Sequence, residues 1–273
     1  MKLVKKIAFE KPVIFSVIVM LLAVGCTFIP FNLCMGGRLN EQAADYFSGM
    51  IVQTIVSVVL ILLLWKMQLL KPAGFTCKIE QLWIVWPMVL VIVLDGLDVV
   101  VGTIQIDTTQ KITIVMYILV YLSTGLFEET LCRGLAQTLF IRKWGRTRKG
   151  IYFSVILNSL LFGMFHLIHF FLGHATLLAS IAQVTYATFI GVFMSACVLR
   201  NKNIVPVMIL HGFIDIAGSL REIAVNGGIN KEFMTMTVSG AVKSIALMLP
   251  VLLYGLFILR KCTCEEIIDS AND

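Results

Sequence analysis

The sequence predicts an all-α polytopic membrane helix bundle of about eight spans, and three observations carry that expectation. The 273 residues are 59% hydrophobic and only 14% charged. Apolar runs longer than a soluble core helix needs recur along the chain, and about 20 such residues cross the hydrocarbon of a bilayer. The runs lack the strict alternation of a lipid-facing barrel strand, so helices are the element that spans.

In order, the expected spans cover 12–31, 46–65, 82–102, 113–140, 150–172, 176–199, 203–220 and 241–259. The basic opening before the first resembles a signal sequence, but the apolar run is long and no small-x-small cleavage site follows, so it reads as a retained helix. The hydrophilic stretches between spans are too short for a soluble domain. The expectation is therefore one integral membrane domain over 1–273, with most of its intramembrane polar residues in 113–220.

Charge gives orientation, because Lys and Arg accumulate in cytoplasmic loops. Lys2, Lys5, Lys6, Lys11, Lys66, Lys71, Lys78, Arg142, Lys143, Arg146, Arg148, Lys149, Arg200, Lys202, Arg260 and Lys261 fall on one side. The other side holds only Arg38, Lys111, Arg221, Lys231 and Lys243, and Arg133 lies within a span. Both termini are expected in the cytoplasm, in a membrane of bacterial plasma type. The net charge of +6 belongs to this bias and argues against a nucleic-acid partner.

The polar residues inside the spans carry the functional signal. Glu128, Glu129 and Arg133 lie within six residues of an otherwise apolar run, and an ionisable group at the bilayer centre costs at least ~2.5 to 3.5 kcal/mol. Glu129 and Arg133 are four apart and share a helical face, which permits an ion pair. Glu128 points ~100° away and is left for other work. The same residues also fit a purely structural ion pair beside an acid that takes up a proton.

Phe162 and His166 form a second set, one turn apart on a common face, though a single His in an apolar helix often serves only as an interhelical hydrogen-bonding group. His169 and His174 follow; without a carboxylate at metal-ligand spacing they fit packing or the interface. His211 and Asp215 form a third set, four apart, able to meet one ligand or each other. Asp95 and Asp98 are expected towards the outer end of the third span, capping it or reaching interfacial water. Cys26, Cys34, Cys132 and Cys197 lie in or beside spans, and Cys262 and Cys264 form a lone close pair in the tail, short of a zinc motif.

Together the three sets are more specific than any one. They supply carboxylates and imidazoles on three spans, the groups needed to activate water and stabilise a tetrahedral oxyanion. Here the chain resembles the CAAX-prenyl protease and bacteriocin-processing (CPBP, or Abi) group of intramembrane endopeptidases. The pattern is E-E-x-x-x-R at 128–133, F-x-x-x-H at 162–166 and H-x-x-x-N or its Asp variant at 211–215. The resemblance covers roughly 113–220.

It implies a membrane-embedded or lipid-modified peptide substrate and a role for each matching position. Glu128 would be the general base with His166 assisting, Glu129 and Arg133 the supporting pair beside Phe162, and His211 with Asp215 the binders of the scissile carbonyl. Asp215 departs from Asn, which donates a hydrogen bond where an ionised Asp cannot. It would be protonated, orient His211, or ligate a metal. A mechanism with no metal cofactor is the expectation; in the zinc alternative Glu128, His166, His211 and Asp215 would be the ligands. Two rival functions fit the same residues: a non-proteolytic immunity or scaffold protein, and a transporter with Glu128, His166 and His211 as a proton relay.

Overall fold

The computed structural model describes residues 2–31, 39–76, 78–225, 227 and 236–262. Cys34, Arg38, Lys231 and Cys264 lie outside them. The architecture is all-α, and among the described residues only an isolated antiparallel bridge joins Ile106 to Ala224. Among the described residues six helices are long and apolar enough to cross a membrane, or seven if one bent pair forms a single span.

That bent pair is the first expected span. Helix α1, Lys2–Glu10, meets α2, Pro12–Cys26, at an angle of 114°. Pro12 suits the first turn of α2, where its missing N–H costs nothing. The guanidinium of Arg142 stacks 4.3 Å from the Phe9 ring centroid, and Lys143 Nζ donates to the Glu10 carbonyl, so α1 lies across the end of the later helix that carries them.

Helix α3, Glu41–Met67, starts where the Asn40 side chain accepts from Ala43 N and stops at Gln68, whose φ of 61° is left-handed. Helix α4, Trp86–Val100, runs towards the Lys-poor end, where Asp98 pairs with Arg221 at 3.7 Å. Helix α5, Lys111–Glu129, continues through a π-helical stretch, Thr130–Gln137, into α6, Thr138–Trp144. Helix α7 is Arg148–Phe165, and α8, Ile168–Phe171, is a single turn beyond it.

Helix α9, Leu177–Asn201, is capped by Thr176 and ends at left-handed Lys202. Helix α10, Val205–Gly218, has only 14 residues, about 21 Å of rise against ~30 Å of hydrocarbon. The seventh expected span is thus too short to cross by length alone. Its start is fastened instead: Asn203 Nδ2 donates to the Thr76 and Lys78 carbonyls, and Ile204 N donates to Gly74 O. Helix α11 is Val238–Leu259.

Burial follows the membrane pattern. Ile55, Val58, Val59 and Leu62 of α3 and Leu90, Val93, Leu94 and Leu97 of α4 face outward, where lipid rather than water satisfies them. Among the described residues are three apolar clusters: one centred on α4, α9, α10 and α11, one on α2, α3, the π stretch and α6, and a small one of Tyr46, Tyr117, Val120 and Ile223. Cys262 is buried at the edge of the first cluster.

Candidate active site

Two glycines bring α5 and α10 together. A Cβ on Gly125 of α5 would stand 2.3 Å from Met208 O and 2.7 Å from Gly212 N, and one on Gly212 would stand 3.0 Å from Leu122 Cα. The backbones of α5 and α10 are therefore in direct contact, as small residues permit between membrane helices. Gly125 lies one turn before Glu129, and Gly212 follows His211. Their contact places the two glutamates against the imidazole.

Glu129 and Arg133 form the ion pair that their spacing predicts, with Nη1 2.7 Å from Oε1 and both side chains 0% exposed. Arg133 Nη2 donates to Gly191 O at 3.3 Å, and its guanidinium lies 4.7 Å from the Phe162 ring centroid. Stacking on that face adds an attraction that strengthens in a dry site. Every residue of the π stretch is buried. Its wide turns, a type that clusters at functional sites, hold Arg133 between α7 and α9. No periodicity in the apolar pattern announces them.

Glu129 has a second partner. Its Oε1 also lies 2.7 Å from His211 Nδ1, and since a carboxylate only accepts, Nδ1 carries the proton. That bond fixes the ring and aims Nε2 at the two remaining acids, 3.4 Å from Glu128 Oε2 and 3.7 Å from Asp215 Oδ2. Orienting one imidazole nitrogen by a buried carboxylate is the logic of catalytic triads. Here Glu129, rather than Asp215, does the orienting.

Exposure separates the acids by task. The Glu128 and Asp215 side chains are 25% and 26% accessible, whereas Glu129 is sealed. The first two can meet a substrate or a water molecule; the third cannot.

His166 joins the group through Phe162. The Phe162 ring lies edge-on to both imidazoles, with centroids 5.1 Å from His166 and 5.8 Å from His211. His166 Nδ1 is 3.2 Å from Phe162 O, so it donates, and a neutral ring keeps Nε2 as an acceptor. His169 and His174 continue away from the site in a row, at centroid spacings of 6.2 and 6.5 Å.

Glu128, His166, His211 and Asp215 are ligand types that zinc takes. Among the described residues, however, no three His, Cys, Asp or Glu side chains are arranged to hold a metal ion.

The glutamate pair, the arginine and the two histidines are thus assembled on α5, the π stretch, α7 and α10. A family model covers the same segment. Residues 110–217 match the Rce1-like type II CAAX prenyl endopeptidase family. No curated protein and no solved structure matches the chain. The Rce1-like match spans every residue of the three motifs, and that family is one of proteases. With six helices among the described residues long and apolar enough to cross a bilayer, the chain is an integral membrane protein.

Sequence reasoning left two contacts unseen, Glu129 to His211 and Gly125 to Gly212. Only the glycines leave a sequence signal, a small residue one turn from an intramembrane acid.

Proposed function

We propose that the chain is an intramembrane endopeptidase that hydrolyses a peptide bond of a membrane-associated peptide or protein, prenylated or not, without a metal. The observation that carries the reading is His211, locked at Nδ1 by buried Glu129 and presenting Nε2 to two partly exposed carboxylates. The family match supports the reaction class.

In this reading a water molecule sits between Glu128 and His166. Glu128 takes its proton as the oxygen attacks the carbonyl carbon, and His166 Nε2 accepts the water's second hydrogen and holds it in line. With protons on both nitrogens, His211 is a cation that donates from Nε2 to the developing oxyanion, the largest kind of contribution such sites make. Glu128 then returns its proton to the leaving amine as the C–N bond breaks. Asp215, when it carries a proton, adds a second donor to the oxyanion. Arg133 holds the Glu129 carboxylate in place, and Glu129 in turn holds the imidazole.

The Lys-rich loops then lie in the cytoplasm with both termini, in a plasma membrane of bacterial type. Non-proteolytic immunity binding and proton-coupled transport are the rival classes. Purified protein in proteoliposomes, offered matched prenylated and unprenylated peptides, separates the three. Cleavage products favour the peptidase; proton-coupled uptake with no product would favour transport; binding without turnover would favour immunity.

A further inference from the structure

Helix α10 carries His211 and Asp215 yet is too short to be held by spanning the bilayer, so its far end must be fixed by something else. Beyond Gly218 the chain makes a short turn, Leu220–Ile223. Within it Glu222 Oε2 accepts from Tyr46 of α3 and from Tyr121 of α5, both at 2.8 Å. Gln42 Nε2 donates to the Glu222 carbonyl and to Tyr46 Oη, both at 2.9 Å. Tyr117 donates to the carbonyl of Ile216, the residue after Asp215.

The three tyrosine rings pack edge-on, with Tyr117 5.8 Å from Tyr46 and 4.9 Å from Tyr121. Asp107 N donates to Ile223 O and Val225 N to Gln105 O, which ties the same turn to the loop before α5. A polar cavity of about 260 Å³ opens beside it, lined by Gln42, Asp107, Gln110, Thr113 and Glu222 among others.

Two phenol donors on one carboxylate oxygen are charge-assisted and directional. Their bearers lie on α3 and α5, and α5 also supplies Glu128 and Glu129. We propose that Glu222, gripped by Tyr46 and Tyr121, is a positioning residue that fixes the rotation and height of α10, and so aims His211 Nε2 at Glu128 and Asp215. One residue of slip would turn the helix by ~100° and carry the imidazole off its partners. The activity part of the test rests on the proteolytic reading; the spectroscopic part does not.

The full-length protein is labelled with ¹⁵N-histidine in lipid nanodiscs, and the His211 ring signals are followed together with melting temperature, kcat and KM. Glu222→Ala and the Tyr46→Phe, Tyr121→Phe double variant should shift the His211 signals and lower kcat at least tenfold, with KM within twofold, at temperatures where the protein is folded. Glu222→Gln, whose amide oxygen still accepts from both phenols, should stay close to wild type in both readouts. If Glu222→Ala does not fold, the single Tyr→Phe variants are judged by the same signals. Unchanged His211 signals with only a lower melting temperature would overturn the proposal, as would Glu222→Gln behaving like Glu222→Ala. Absence of cleavage by the wild type would remove the proteolytic reading and leave the His211 signals to decide this one.

Discussion

Glu129 and His211, 82 positions apart in the chain, meet at 2.7 Å with both side chains buried. One carboxylate oxygen there serves both the Arg133 guanidinium and the imidazole. Arg133, Glu129 and His211 are therefore one network.

Removing Arg133 should be costly. Arg133→Ala leaves Glu129 buried without its cation, which typically destabilises by about 3–5 kcal/mol. Arg133→Lys should not restore wild-type behaviour, because a compact ammonium cannot bond Glu129 and Gly191 O while stacking on Phe162. Denaturant unfolding in mixed micelles reads both variants; a loss below about 1 kcal/mol for Arg133→Ala would refute the shared network.

Gly125→Ala should separate α5 from α10, since the new methyl would stand 2.3 Å from Met208 O. Overpacking of this kind costs about 1–3 kcal/mol, and here it also breaks the Glu129 to His211 contact, so activity should fall further than stability. Gly96→Ala in α4 is the control: a Cβ there meets nothing within 4 Å, and the helix should gain up to about 1 kcal/mol. Equal effects of the two substitutions would contradict the close approach.

Asp215→Asn keeps a donor beside His211 Nε2 and should stay within about tenfold of wild-type kcat, whereas Asp215→Leu removes it and should cost about 10²-fold or more. Steady-state kinetics on one peptide decides. Asn falling as far as Leu would show that a negative charge, and not a donor, is needed at this position.

Glu222 gives a pH dependence. Burial pushes its carboxyl above the ordinary value of 4.5, with the Tyr121 and Tyr46 hydrogen bonds opposing the shift. A raised carboxyl favours the protonated folded state. Its contribution to stability is therefore complete below the unfolded value and lost as pH rises through the folded one. Melting temperature should decline over that window in the wild type and decline less in Glu222→Gln. Parallel pH curves for the two proteins would rule out this source.

Much of this was legible in the sequence because it depends on helical spacing. Glu129 with Arg133, and His211 with Asp215, are i,i+4 pairs that any helix brings together. Apolar run length located a helix near every expected span. The rest depends on how helices meet. The turn at Lys11 and the short reach of α10, which begins at Val205 with Pro206 in its first turn and stops at Gly218, follow from local breaks inside apolar runs that hydropathy averages over. The role of Glu129 as the partner of His211 requires the α5 and α10 backbones to touch, a tertiary fact. The π stretch leaves the apolar pattern intact while re-aiming Arg133.

The central claim is that Glu128 is the base, and the most direct measurement is the single-turnover cleavage rate of Glu128→Gln against wild type, with products identified by mass spectrometry. The substitution preserves shape and, at a side chain one-quarter exposed, should leave the fold and the Glu129 to His211 contact intact. The account predicts a rate lower by about 10² to 10⁴-fold, with peptide binding retained. Cleavage at the wild-type rate by Glu128→Gln would contradict it.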